Sequence, residues 1–399
     1  MTKRILMMTS DPKSNQSYGI IADFIMRNLR QNYEFHISIN ERSYGQPKDM
    51  GHYWEWHGGR SKIERNSQIM PDLIGMIKPN FIMTIDDLDS VGNVHSYKEK
   101  DLPWIQYFPI DNHDINVLHT SEGIINASDI SVCMSKFGYD LAKQHNVKID
   151  KYIYPFIDTE SYRKFTKPNQ IKEVVKFKRS NGLEDKKILL FVGRPGWRKN
   201  VEFLIGAFKK LSDKRNDVAL FLHMDFDDPC AEFNIYKLLY SYGIPSHLIC
   251  RFVGFKWHSG IPKRMMSLLY NVADVYVSTH GGEGFGLPAA EAMATEVPGV
   301  MTDCTTTPEF YQDEDGEWVR GFGANVAQQV RDHNVQRPFV DISDFVEKIE
   351  ILLDDESLRK DMGKKGRAWV LKNCSVPVIT RKWKRLLKKI DIPKARIIG

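Results

Sequence analysis

The chain lacks any apolar run approaching the roughly 18 residues that a membrane-spanning helix needs. Its first stretch, MTKRILMMTSDPKSN, has too short an apolar run for a secretory leader. Cysteine is scarce: Cys133, Cys230, Cys250, Cys304 and Cys374 are scattered, with no C-x-x-C pair. That excludes a zinc ribbon or a disulfide framework and fits a reducing compartment. A large excess of charge of one sign is lacking as well. With 56 Lys and Arg against 51 Asp and Glu, the net +5 gives no call for a nucleic-acid partner. No short-period repeat is visible. These absences predict a cytoplasmic globular protein.

What is present is alternation. The 399 residues suggest two or three domains of about 150 residues each. Apolar runs at Ile5–Met8, EFHISIN, FIMTID, WIQYFPID and ISVCMS read as strands. Helix-like segments separate them, the first being YGIIADFIMRNLRQN, with Ile20, Phe24 and Leu29 at helical spacing. Ser135 can cap a helix starting near Lys136. Alternating strand and helix signals imply a parallel sheet covered on both faces. A charge-rich stretch follows, and then KILLFVGR restarts the pattern, with VALFLHMD, LICRFVG, DVYVSTH and PGVMTDC as further strands. His223 and Met224, in FLHMD, read as strand packing. The expectation is an α/β chain of two doubly wound, Rossmann-like domains facing each other across a cleft, with ligands at the carboxyl ends of the strands. The boundaries read as 1–160 for the first domain, 161–186 for a linker, 187–376 for the second domain and 377–399 for a terminal helix.

One such strand end carries THGGEGFGLPAAEAMA, Thr279 to Ala294. Gly284 and Gly286 flank Phe285, and Glu283 and Glu291 stand eight positions apart. Pro288 suits the first helical position, which places Glu291 in the first turn and Glu283 in the loop. Glycines open backbone amides to a ligand, and a helix start favours negative charge. The stretch can hold a phosphate with a polyol on each side. Gly284, Gly286 and Ala289 also satisfy the G-x-G-x-x-A dinucleotide pattern, with Asp303 beyond. That pattern belongs after the first strand of its domain, and here it lies in the last third of the chain.

EGFGLPAAE resembles the E-x7-E signature of GT-B glycosyltransferases, in a context similar to glycosyltransferase family 4. NVADVYVSTHGGEGFGLPAAEAMATEVPGVMTDCTTTPEF is similar to that family's donor-binding segment. FVGRPGWRKNVEFLIGAF resembles its first strand, loop and helix of the C-terminal domain, and YPFIDTESYRKF its inter-domain connection. The resemblance covers most of residues 150 to 310; the N-terminal half is only loosely similar. It implies a retaining, metal-independent hexosyltransferase acting on a nucleotide sugar of the GDP-mannose or UDP-glucose type, with no cofactor. The acceptor would be a hydroxyl of a glycan, a lipid or another molecule. The alternatives are a GT-B nucleotide-sugar epimerase or a non-catalytic sugar-nucleotide-binding partner subunit.

Carried over residue by residue, the resemblance has Glu283 accept from hydroxyls of the donor sugar. Gly284, Phe285, Gly286 and Leu287 would face sugar and diphosphate, and Glu291 would hold the ribose. An isolated pair of acids at a helix start would be read as solvated and favoured by the dipole alone. Breaking a diphosphate–sugar bond leaves negative charge on the phosphate, so cations must stand where it develops. In GRPGWRKN, Arg194 and Lys199 resemble the Arg and Lys that do this in the family, with Arg198 a substitute. Trp197 covers the pair or only fills the loop. Gly19, in QSYGII, sits at the first strand-to-helix loop, where the family reaches the phosphate from the other domain. In YFPIDNHD both Asp111 and His113 occupy the place of a histidine near the reacting sugar, and the sequence does not choose between them.

Three further stretches have weaker readings. Asp86, Asp87 and Asp89 in IDDLDS invite a D-x-D metal reading, set aside because nothing else belongs to that other fold. HYWEWHGGR, residues 52 to 60, reads as an aromatic loop, either an acceptor platform or packing. The tail holds eight basic residues and one acid between Arg381 and Arg396. Trp383, Leu386, Leu387 and Ile390 fall on one face of its helix, which would cross back to the N-terminal domain. Its basic face could also lean on anionic lipid headgroups, a peripheral membrane contact.

Overall fold

The computed structural model describes residues 2–14, 16–39, 47–57, 69–91, 93–98, 101–229, 231–256, 260–332 and 335–390. Contacts divide the chain into two units. One holds Met1–Ile110, Asp114–Phe156 and Val376–Gly399; the other holds Asp111–His113 and Ile157–Ser375.

In the first unit eight strands form one sheet: β1 (Lys3–Met8), β2 (Tyr33–Ile39), β3 (Lys48–Asp49), β4 (Trp54–His57), β5 (Phe81–Ile85), β6 (Trp104–Phe108), β7 (Ile130–Cys133) and β8 (Lys151–Tyr152). Their order is β3-β4-β2-β1-β5-β6-β7-β8, and only β3 runs antiparallel to its neighbour. Ile5 to Met8 are fully buried, as a parallel strand covered on both faces must be. The first helix, Ser17–Leu29, turns Ile21, Phe24, Ile25 and Leu29 inward, while Ile20 is 36% exposed. Phe24 and Leu29 are thus buried as the spacing suggested, and Ile21 rather than Ile20 completes the stripe. Ser135 accepts the Gly138 N–H at 3.2 Å and caps the helix Lys136–Gln144.

The aromatic segment at 52–57 is not a loop. Trp54–His57 is a strand paired to β2, because Glu55 and its neighbours complete the sheet beside His36–Ile39. Glu55 is buried and meets Lys13 at 2.9 Å, and Trp56 donates to His36 Nδ1 at 3.1 Å. Those aromatics pack; Gly58–Arg60 lie outside the described residues. Val376–Ile390 is a helix of this unit. Ile379, Trp383, Leu386 and Leu387 are buried, whereas Ile390 is only partly so. Trp383 meets Tyr107 edge-on, with ring centroids 5.0 Å apart.

The second unit holds β9 (Lys187–Val192), β10 (Val218–His223), β11 (Ile249–Cys250), β12 (Val275–Ser278), β13 (Gly299–Thr302) and β14 (Gly321–Ala324). They form a parallel sheet in the order β11-β10-β9-β12-β13-β14. The chain winds one way from β9 to β11 and then returns to place β12 on the other side of β9. The loops after β9 and β12 thus diverge at a switch point, where open α/β sheets leave a crevice. A helix, Pro168–Ser180, occupies the charge-rich stretch before β9. An antiparallel hairpin unforeseen in the sequence, β15 (Val326–Asp332) and β16 (Val335–Val340), follows β14. His223 and Met224 are buried, His223 against the rings of Phe252 and Phe255. Among the described residues no helix is long and apolar enough to cross a membrane.

Candidate active site

Two loops meet at the switch point. Gly193–Asn200 leaves β9 and Thr279–Gly286 leaves β12, far apart in sequence but stitched together by backbone. Gly281 N–H donates to the Arg198 carbonyl at 2.7 Å, and the Thr279 hydroxyl donates to the Asn200 carbonyl at 2.8 Å. Arg198 Nη1 in turn donates to the Gly282 carbonyl. Asn200 adopts a left-handed conformation (φ 48°) to start the helix Val201–Ser212, a strain Asn tolerates better than most residues.

These contacts bring Glu283 to the cations. Its carboxylate lies 3.0 Å from Arg198 Nη1 and is ion-paired with Lys199 Nζ. Both Glu283 and Lys199 side chains are 14% exposed. Burial alone would push the Glu283 carboxyl up, but Arg198 and Lys199 overcome that and hold it well below the usual carboxylate range. Arg198 also lies 3.3 Å from Asp111, and Asp111 is 3.3 Å from Arg337 on β16. Among the described residues these contacts join Arg198, Lys199 and Arg337 to Glu283 and Asp111 in one network.

Arg194 stands apart from that network. Asp228 grips it through two hydrogen bonds of 2.7 Å, which fix the plane of the guanidinium. Trp197 lies 6.4 Å from Phe339 of the hairpin, so its ring fills the loop rather than covering the cation pair. Asp111 and His113 both reach the β12 side, by different routes. Asp111 is held by Arg337 through its carbonyl and its carboxylate. His113 accepts the Thr305 N–H at Nε2, 3.1 Å away, which puts a neutral ring's proton on Nδ1.

The helix after the glycine loop starts one residue earlier than the proline suggested. Gly286 (φ 94°) is its cap, Leu287 its first residue and Pro288 its second. Glu291 therefore stands beyond the first turn, because Gly286, not Leu287, makes the break in backbone. Tyr270 donates to Glu291 Oε2 at 2.7 Å. Burial pushes the Glu291 carboxyl up to about 7, against the opposing hydroxyls of Tyr270 and Tyr162. Phe285 is buried edge-on against Phe310, at 5.1 Å, and its carbonyl accepts from the Thr306 hydroxyl at 3.0 Å, so its ring is a prop for the loop. Gly19 is inside the helix Ser17–Leu29, not in the loop before it. A Cβ there would meet the Asp11 carbonyl oxygen at 2.2 Å, so the glycine serves close packing. Of the acidic IDDLDS run, Asp86 is buried and Asp87 accepts from Tyr18 at 2.5 Å.

Three residues escaped the sequence reading. Arg337 lies on the hairpin, with no spacing signal to mark it. Thr305 holds a positive φ of 48°, rare for a β-branched residue, while its hydroxyl accepts the Glu283 N–H at 2.9 Å. It thereby ties His113 to Glu283. His280 is fully buried, its imidazole pushed down to about 3 by burial, with Nδ1 3.1 Å from Ser278 Oγ. Among the described residues its Nε2 has no hydrogen-bond partner.

Gly282 is the tightest point of the loop. A Cβ there would lie 1.9 Å from the Asp111 carbonyl oxygen, and φ is 141°. Gly282→Ala is expected to displace either the Asp111 backbone or the Glu283 loop and to destabilise the protein by roughly 1–3 kcal/mol. Thermal melting checks this; an unchanged midpoint would show that the loop has room to move.

Comparisons with known proteins agree with this fold. Residues 174–369 match the model of the family Glycosyl transferases group 1. An uncharacterized glycosyltransferase of Methanocaldococcus jannaschii, MJ1607, is 33% identical over 150 residues, 37% of this chain and 35% of that protein. The sulfoquinovosyl transferase SQD2 of Arabidopsis thaliana is 27% identical over 211 residues, 53% of this chain and 34% of that protein. The matched stretches thus span about a third of these relatives' length. The sucrose-phosphate synthase structure of Thermosynechococcus elongatus superposes with a TM-score of 0.78 at 16% identity, over 97% of this chain and 99% of that one. The Anabaena protein HepE, in complex with UDP and glucose, gives 0.72 at 14% identity, over 97% and 100%. The fold is the two-domain, Rossmann-like GT-B fold.

Proposed function

We propose that the chain is a retaining glycosyltransferase. It moves a hexose from a nucleoside diphosphate sugar, of the UDP-glucose or GDP-mannose type, to a hydroxyl of a glycan, lipid or other acceptor, without a metal. The carrying observation is the half-buried cluster of Glu283, Arg198 and Lys199 at the carboxyl ends of β9 and β12, beside a glycine-rich loop. The UDP and glucose bound by the Anabaena protein of the same fold support a nucleotide-sugar donor.

In this reading the bond from the anomeric carbon to the diphosphate oxygen breaks while the acceptor oxygen bonds to the same face. The acceptor proton passes to the departing phosphate, so configuration is kept and no protein nucleophile is needed. Lys199 and Arg198 neutralise the charge growing on that phosphate, with Arg194 held in readiness by Asp228. Glu283, kept ionised by its cations, accepts from sugar hydroxyls and orients the ring. The amides from Gly284 to Leu287 face the donor. Glu291 accepts from the ribose, and Asp111 or His113 borders the reacting sugar. A lipid acceptor would bring the protein to a membrane surface.

The test is a thermal-shift panel of nucleoside diphosphates, followed by product analysis with and without acceptor. A nucleotide at 100 times its Kd should add about 2.7 kcal/mol to stability. Its affinity should strengthen as pH rises through about 7, because ribose hydroxyls donate to the ionised Glu291. Glu291→Gln should flatten that dependence. Without nucleotide the sign reverses. Glu291's raised pKa contributes stability at low pH that is lost as pH climbs from about 4.5 through 7, so the variant gains on the parent over that window. Donor consumed without a transferred sugar, or an isomerised donor, would count against transfer.

A further inference from the structure

The terminal helix Val376–Ile390 carries six basic residues and no acid. Its apolar face, Ile379, Trp383, Leu386 and Leu387, is accounted for by burial within the first unit. Lys382 is accounted for too, standing over the rings of Tyr152 and Tyr154 at 5.7 and 5.3 Å. Of the five that remain, Arg381, Lys384, Arg385 and Lys388 are spaced i, i+3, i+4 and i+7, so these four share one face. They line an open groove of about 430 Å³ together with Asn28 and Thr380. All four are exposed.

Like charges at these spacings repel and weaken a helix. Elsewhere this chain relieves such charges with acids one turn away. In the helix Glu356–Cys374, Lys360 meets Glu356 at 2.6 Å and Lys365 meets Asp361 at 2.7 Å. Among the described residues, no carboxylate pairs with any of the groove's four cations. The helix dipole favours a basic last turn, which accounts for Lys389 and in part for Lys388, but not for Arg381, Lys384 and Arg385. A row of cations with no carboxylate partner among the described residues is complementary to phosphate oxygens, which arginine can grip through two N–H groups at once. The row spans about 10 Å along the helix, longer than a single phosphate. That length fits neighbouring headgroups of a surface better than one small anion.

We propose that this groove binds the phosphates of anionic phospholipid headgroups and seats the protein on a membrane. The inference shares with the proposed function only the membrane contact; no residue of the donor site enters it. Residues beyond Ile390, including Lys394 and Arg396, lie outside the described residues and are not needed for it.

The experiment is co-sedimentation of the full chain with vesicles of phosphatidylcholine, alone or with roughly one third phosphatidylglycerol. The parent should bind the anionic vesicles only, and added salt should release it. Lys384→Gln/Lys388→Gln should weaken binding several-fold, and removing all four charges by at least about tenfold. Lys172→Gln/Lys176→Gln, two exposed lysines at the same spacing on the helix Pro168–Ser180, removes equal charge and should change nothing. Transfer to a water-soluble acceptor should survive in every groove variant, which separates this inference from the catalytic one. Equal binding to neutral vesicles, or equal losses in the groove and control variants, would overturn it. So would stabilisation by inorganic phosphate with no vesicle binding, since that would make the groove a small-anion pocket.

Discussion

Glu283→Gln is expected to lower kcat for sugar transfer by about a thousandfold while the protein still folds. The substitution keeps the side chain's shape and removes its charge. Two things are lost together. The amide oxygen is a weaker acceptor for sugar hydroxyls, and Arg198 and Lys199 lose their shared counter-charge. Leaving a mostly buried cation unpaired is costly, on the order of 3–5 kcal/mol where a buried pair is broken, and partial exposure reduces that here. Activity must therefore be read at a temperature where melting curves show the variant folded. The pH dependence provides a second readout. Because Glu283's carboxyl is held below its unfolded value, its contribution is present above about pH 4.5 and lost as pH falls through the folded value. The stability gap between parent and variant should narrow in acid. A folded variant with full turnover would remove Glu283 from the mechanism.

Lys199→Ala is expected to cost about a hundred- to a thousandfold in kcat, with nucleotide affinity changed much less. The ammonium is enclosed beside Glu283, and a Cβ at Gly193 would touch its Cε at 3.6 Å, so the chain's path to the site is fixed. Charge on the leaving diphosphate is greatest in the transition state, so a cation at that point acts on turnover more than on binding. Arg198 remains to hold the nucleotide and Glu283. Lys199→Arg keeps the charge but brings a larger, planar head, and should recover part of the loss. A proportional rise in KM with kcat unchanged would recast Lys199 as a binding residue only.

Much of the architecture was legible because burial writes itself into parallel strands. The runs at Ile5–Met8, Lys187–Val192 and Val275–Ser278 are apolar without alternation, since helices cover both faces of their sheets. The segment Trp54–His57 reads as a loop because the run is short and holds a buried acid, Glu55, which Lys13, distant in sequence, pairs in the sheet. Glu283 and Glu291 were legible from the glycines around them. Arg198's part in holding Glu283 was not, because a loop's side chains take their direction from the backbone contacts that stitch it to its neighbour. Arg337 and Thr305 were invisible for the same reason. Their roles depend on a hairpin and on a positive φ, neither of which carries a periodic signal.

By itself, then, the amino-acid order determined the two α/β sheets and the strand end where chemistry could occur. Hydrophobic periodicity and glycine placement are local properties. Tertiary structure alone decided which cations face Glu283, that Asp228 takes Arg194, and that four basic residues of the terminal helix have no carboxylate partner among the described residues. Each of those is a contact between segments remote in sequence, or the lack of one, and its energy depends on distance and burial rather than on residue type.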